Sequence, residues 1–213
     1  MIVMRKIAVA LGVLMSIMTT VGAFAAAPVP KKVQITDPSN DANYLNDQAG
    51  SFYADVDAGD VPAGNAFAEA DILKVWFTHT AKTLTVHFQT AAPLPGPVPL
   101  FFMVKSNPLD QPGFRNGCTL IHAWVDADGS HAAGGDCRVG SRDAKVTFGE
   151  LPDGTGILEI TIVRTASIDF MPGDGIVAPR ALSQHRFHDN GPVPSVNLPV
   201  IDNTKPGTNY KLD

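Results

Sequence analysis

The sequence predicts an all-β domain, an antiparallel two-sheet β-sandwich of the jelly-roll or immunoglobulin-like kind with little helix. Three observations lead there. Apolar and polar residues alternate with period two through 73–78 and again through 83–89, the pattern of half-buried antiparallel strands. Turn signals recur at short intervals: Asn107-Pro108, Asp128-Gly129, Gly134-Gly135 and Asp153-Gly154. The acidic residues are 18 Asp against three Glu, beside 19 Gly and 17 Pro, a composition that suits loops and turns rather than helix interiors.

The elements follow in order. Residues 33–36 begin a first strand, an Asp/Asn loop fills 37–50, and 51–57 alternate enough for a short strand. A Gly/Pro/Ala loop over 58–70 leads into the clearest hairpin. There Leu73, Val75 and Phe77 alternate with Lys74, Trp76 and Thr78, and after Thr80-Ala81-Lys82 the alternation resumes with Leu84, Val86 and Phe88. The proline-rich run 93–99 cannot donate a continuous ladder, so it is expected to be a surface crossover and not a domain linker. Further strands are expected at 100–105, 118–126, 132–138, 144–149 and 156–164. One helical turn is expected within 166–171, irregular chain with two short strands over 175–200, and an edge strand in the tail.

The first 25 residues have a different character. Arg5 and Lys6 precede an apolar run from Ile7 to Phe24, and Ala23-Phe24-Ala25 places small residues where a signal peptidase reads them. The expected organisation is therefore a secretory signal peptide over 1–25, a flexible leader over 26–32 and one sandwich domain over 33–213. The product would be secreted or extracytoplasmic, with no membrane insertion after cleavage. Loss of Arg5 and Lys6 takes the formal net charge from −5 to −7. An acidic chain without a basic cluster excludes nucleic acid as a partner. In an oxidising compartment the two cysteines, Cys118 and Cys137, are expected to pair.

The segment from Asp37 to Asp47 is the densest in chemistry. It holds Asp37, Asn40, Asp41, Asn43, Asn46 and Asp47 without Cys or His. Crowded carboxylates repel unless neutralised, and an oxygen-only set suits a hard cation such as calcium rather than zinc or copper. The expected ligands are Asp37, Asp41 and Asn43, met by Asp71 from the start of the hairpin, and the cofactor is a structural calcium. The EF-hand pattern is absent, with no Gly at its sixth position and no Glu at its twelfth.

The loop Asp37-Pro38-x-x-Asp41-Ala42-Asn43, followed by Ala70-Asp71-Ile72-Leu73-Lys74-Val75, resembles the opening of secreted β-sandwich domains of the DOMON-like and family-9 carbohydrate-binding-module type. The resemblance covers about residues 33–90. It matches at Asp37, Asp41 and Asp71, and Asn40 stands where such loops usually carry Gly. It implies a jelly-roll sandwich, often with a structural calcium, in a group whose members bind sugars, haem or nothing known. No haem is expected, because nothing in the sequence positions an axial pair.

For a ligand surface, strand alternation turns Trp76 and His87 away from the apolar face of the hairpin, and His122 and Trp124 away from Ile121, Ala123 and Val125. An outward tryptophan can stack on a sugar ring. Trp76, His87 and Trp124 are thus the candidate ligand contacts. No nucleophile elbow, phosphate loop or acid–base frame is present, and Glu159 reads as a solvent-facing strand residue. The function expected is a secreted non-catalytic binding module for an extracellular glycan. The alternative is a cell-envelope component acting as a structural or interaction protein with no small ligand.

Overall fold

The computed structural model describes residues 30, 32–37, 39, 67–106, 113, 115–136, 144–164, 170–185 and 200–212. Among them there is no helix. The signal peptide, most of the leader, most of the Asp/Asn loop, the strand expected at 51–57, most of the expected helical turn and Cys137 lie outside the described residues.

Two five-stranded sheets carry the fold. The first joins β1 (Ile35–Thr36), β2 (Ile72–His79), β3 (Thr83–Thr90), β9 (Gly156–Val163) and β8 (Ala144–Glu150), in that spatial order. The second joins β12 (Val200–Asn203), β11 (Arg180–His185), β4 (Leu100–Lys105), β6 (Leu120–Val125) and β7 (His131–Asp136). All the pairings in both are antiparallel. A small third sheet places β10 (Asp174–Ile176) between β13 (Tyr210–Lys211) and β5 (Arg115–Asn116), with β10 and β5 parallel.

Alternation explains the core. Val75, Phe77, Leu84, Val86, Phe88, Leu158, Ile160 and Ile162 turn inward from the first sheet. Leu100, Phe102, Val104, Ile121, Ala123 and Val125 meet them from the second. Phe88 and Phe102 make an edge contact between the sheets, with ring centroids 5.7 Å apart and planes at 62°. Burial of such rings is the main stabilising term. The run 93–99 carries the chain from β3 to β4, from one sheet to the other, with Leu94 buried in the core.

Polar bolts tie the sheets together at one end. The Ser183 hydroxyl donates to the Ala70 carbonyl at 2.7 Å, and the Ile72 N–H donates to Asp202 Oδ2 at 2.6 Å. Ser183 and Asp202 are cross-strand partners, so β11 and β12 present both bolts to the start of β2. The tail adds a stitch: Gly207 N–H donates to the Pro179 carbonyl at 2.8 Å and Thr208 N–H to the Gln34 carbonyl at 2.9 Å. Gly207 sits so close to the Gln34 carbonyl and Ile35 that any Cβ there would collide with them.

Two expectations are corrected. Gly134-Gly135 is not a turn but the middle of β7, paired to His122 and Ile121. Its turn signal is overridden because the actual turn, Asp126 to Ser130, already reverses the chain with Gly129 at φ 82°. The third sheet was not expected, since strands of two or three residues carry no alternation.

Candidate functional site

The outer face of the first sheet carries a polar row across four strands. Trp76 on β2 faces His87 on β3, His87 faces Glu159 on β9, and Glu159 faces Thr147 on β8. The Trp76 and His87 rings stack at 4.9 Å with planes 2° apart. His87 Nδ1 lies 2.9 Å from Glu159 Oε1, and His87 Nε2 lies 2.8 Å from Thr78 Oγ1. A carboxylate only accepts, so Nδ1 carries the proton toward Glu159, and in the neutral ring Nε2 accepts the Thr78 hydroxyl. Thr147 donates to Glu159 Oε2 at 3.1 Å.

The order hydroxyl–imidazole–carboxylate has the outline of a nucleophile relay. Thr78 and its partner Thr85 lie inside the β2–β3 pairing, which fixes the row to the strand ladder. Every polar atom of the imidazole is used. Glu159, read from sequence as solvent-facing, is on the outer face as expected but is held by His87.

The hydrogen bond from His87 holds the Glu159 carboxyl below its usual range, against the opposing effect of burial, and the charge of His87 and the Thr147 hydroxyl add to it. A depressed carboxyl contributes stability that is present above the unfolded glutamate value of about 4.3 and lost as pH falls through the folded value. Melting temperatures of wild type and Glu159→Gln are expected to differ at neutral pH and converge under acid. Parallel curves from pH 7 to 3 would refute the assignment.

Trp76 is only 3 % exposed and His87 only 2 %. Trp76 thus points to the outer side of its sheet but is covered there, and one ring face is taken by His87. Trp124 lies elsewhere: it projects from the outer face of the second sheet and is half-buried. The structure therefore separates the three expected ligand contacts, Trp76 and His87 on one side of the sandwich and Trp124 on the other.

Around Trp124 the outer face is aromatic and apolar. Its cross-strand partner on β4 is Phe101, and Phe101 stacks on His122 at 5.3 Å and 27°. Met103 and Leu182 continue the next row. Burial lowers the pKa of His122, which keeps its ring neutral near physiological pH. On the opposite flank, β7 presents Ala132 beside Trp124 and Gly134 beside His122. A Cβ at Gly134 would come within 2.9 Å of His122 Nε2. The His122 imidazole therefore lies over Gly134, and Phe101 and Met103 on the same face are buried, 6 % and 2 % exposed.

Of the expected metal ligands, Asp37 and Asp71 are described, whereas Asp41 and Asn43 lie outside the described residues. Asp37 leaves β1 with its N–H on the Leu73 carbonyl at 3.0 Å. Asp37 directly follows β1 and Asp71 directly precedes β2, whose pairing with β3 is irregular between Ile72 and Lys74. Both are buried, Asp71 completely. Among the described residues no three His, Cys, Asp or Glu come together as a metal cluster. The pair fits a hard-cation site in its donor chemistry and supplies only part of it.

No family model matches the chain, and no curated protein matches it either.

Proposed function

We propose that this protein is a secreted, non-catalytic binding module that takes a carbohydrate on the outer face of the second sheet, with a structural calcium at the far end of the first. The observation that carries the reading is the half-buried Trp124 on the outer face of β6, with Phe101 opposite it on β4 and the small Ala132 opposite it on β7. A rigid indole bordered by residues with little or no side chain suits a flat sugar ring, which stacks on an aromatic face. The resemblance of the Asp37 to Val75 segment to DOMON-like and family-9 carbohydrate-binding domains supports the same class.

Calcium belongs to this reading through Asp37 and Asp71, with Asp41 and Asn43 as the remaining ligands. A disulfide belongs to it as well. Cys118 is buried, and no free cysteine occurs among the described residues. Leu120 and Asp136 are the last pair of the β6–β7 ladder, with Cys118 two residues before one and Cys137 directly after the other. A Cys118–Cys137 bridge would close the open end of this hairpin. It would enclose about 18 residues and stabilise by about 3 kcal/mol in the chain-entropy model. Thiol titration of the denatured, unreduced protein should find no free thiol.

The deciding experiment is binding of neutral and acidic oligosaccharides to the mature protein, read by tryptophan fluorescence and calorimetry. Trp124→Ala should weaken binding at least tenfold without changing the melting temperature by more than a few degrees. Trp76→Phe should leave binding intact. Binding that survives Trp124→Ala, or the absence of binding to any saccharide tested, would remove the proposal.

A further inference from the structure

Among the described residues the two large sheets end on four edge strands, β1 and β8 in the first, β12 and β7 in the second. Three of these are blunted. β1 is two residues long. β8 carries the exposed Lys145 and ends on the exposed Glu150. β12 pairs with β11 across a register shift between Ser183 and Gln184. Shortness, charge and bulges of this kind discourage further pairing. β7 is different. It pairs with β6 one for one from His131 to Asp136 without a register shift, and small residues, Ala132 to Gly135, fill its middle. His131 and Ala132 are exposed, and Ala133, Gly134 and Gly135 are half-buried.

The phase of the ladder tells which backbone groups of β7 are left over. Asp126 N–H donates to the Ser130 carbonyl at 2.8 Å, on the register of the β6–β7 ladder. Ser106 N–H donates to the Thr119 carbonyl at 2.9 Å, on the register of the β4–β6 ladder. Both bonds fix the same alternation. Even-numbered residues of β6 and β7 bond each other, and odd-numbered residues of β6 turn to β4. The N–H and C=O groups of His131, Ala133 and Gly135 therefore point away from β6. Among the described residues no main-chain bond meets them there.

We propose that β7 is a docking edge for a second copy of this chain, the two β7 strands pairing antiparallel about a two-fold axis at Ala133. Outward groups must meet outward groups, so odd-numbered residues must face odd-numbered residues. Centred on Ala133, this register sets Ala133 opposite Ala133, His131 opposite Gly135 and Ala132 opposite Gly134 of the second copy. No like charges meet, and the imidazole faces a glycine. The backbones exchange about six hydrogen bonds, and glycine in a strand suits the close approach of another backbone. The strand is thus its own complement, which identifies the occupant as a second copy and not an unrelated extended peptide. A two-fold contact consumes both edges, so association stops at the dimer, with two five-stranded sheets joined into one. The proposal does not depend on the carbohydrate reading.

The test is the oligomeric state of the mature protein. Sedimentation velocity from about 1 µM to about 1 mM should show a monomer–dimer equilibrium. Ala133→Pro removes an N–H that faces outward, so the β6 ladder keeps its bonds while the pairing edge loses a donor. It should abolish the dimer and leave the melting temperature of a dilute solution unchanged. Ala132→Pro, whose N–H is bonded to β6, should lower that temperature. Amide hydrogen exchange of the wild type needs no variant: exchange at His131, Ala133 and Gly135 should slow at least tenfold from the dilute to the concentrated sample. A wild type that stays monomeric throughout, a dimer that survives Ala133→Pro, or equal destabilisation by the two prolines would overturn the proposal.

Discussion

Phe88→Ala is expected to lower the free energy of unfolding by about 3–5 kcal/mol. Phe88 is fully buried near the middle of β3, with strands on both sides. Its ring meets Phe102 from the opposing sheet, so truncation removes the contact between the two layers rather than one within a layer. The strands on either side are fixed by ladders on their whole length and cannot collapse into the space, which is the condition for a large cavity cost. For a chain of this size the loss should appear as a fall in Tm of roughly 6–20 °C. Phe88→Leu, which keeps most of the volume, should cost less than about 1.5 kcal/mol. Urea denaturation of the three proteins measures both. A Phe88→Ala cost below about 1 kcal/mol would mean that the sheets do not pack through this ring.

The second large effect is the response to calcium. A ligand that binds only the folded protein stabilises it by about 2.7 kcal/mol when present at a hundred times its Kd. Treatment with EDTA should therefore lower the melting temperature, and added calcium should restore it. Asp37→Asn and Asp71→Asn should each abolish the restoration. Asp71 is buried at the mouth of the β2–β3 hairpin, and its carbonyl accepts the Ala91 N–H at 2.9 Å, so its variant carries a folding cost of its own. Asp37 directly follows the two-residue edge strand β1 and separates the two effects. Elemental analysis of the purified wild type provides a reading without any variant. A melt insensitive to EDTA and calcium, with no bound metal, would sink the site.

How much of this was legible in the sequence depends on the range of the interaction involved. Local alternation located β2 and β3 to within a residue and β4 completely, because period two with β-branched and aromatic residues is a property of adjacent positions. Alternation also gave the side of the sheet on which Trp76, His87, Trp124 and Glu159 stand. It could not say that Trp76 is covered, since that depends on what packs over the outer face. Nor could it say that Trp76 and Trp124 belong to different sheets, because parity within a strand says nothing about which sheet the strand joins. Glu159 looked solvent-facing until the β3–β9 register set it beside His87, 72 residues away. Asp37 and Asp71 were singled out from the loop and the start of the hairpin, and the β1–β2 pairing runs the segments that carry them alongside each other.

The stitch formed by Pro179, Gly207, Thr208 and Gln34 bears on when the chain can fold. Residues near its start and near its end hold each other, and β3 waits for β9 as β4 waits for β11. The pairings β3–β9 and β4–β11 span long stretches of chain, unlike the hairpins β2–β3, β6–β7 and β8–β9, and contacts of that kind form slowly because loop closure precedes the reward. An N-terminal portion ending after β3 has β2 to pair with β1 but no second sheet to cover its apolar face. The sandwich therefore closes fully only once Gly207 and Thr208 are in place against Pro179 and Gln34.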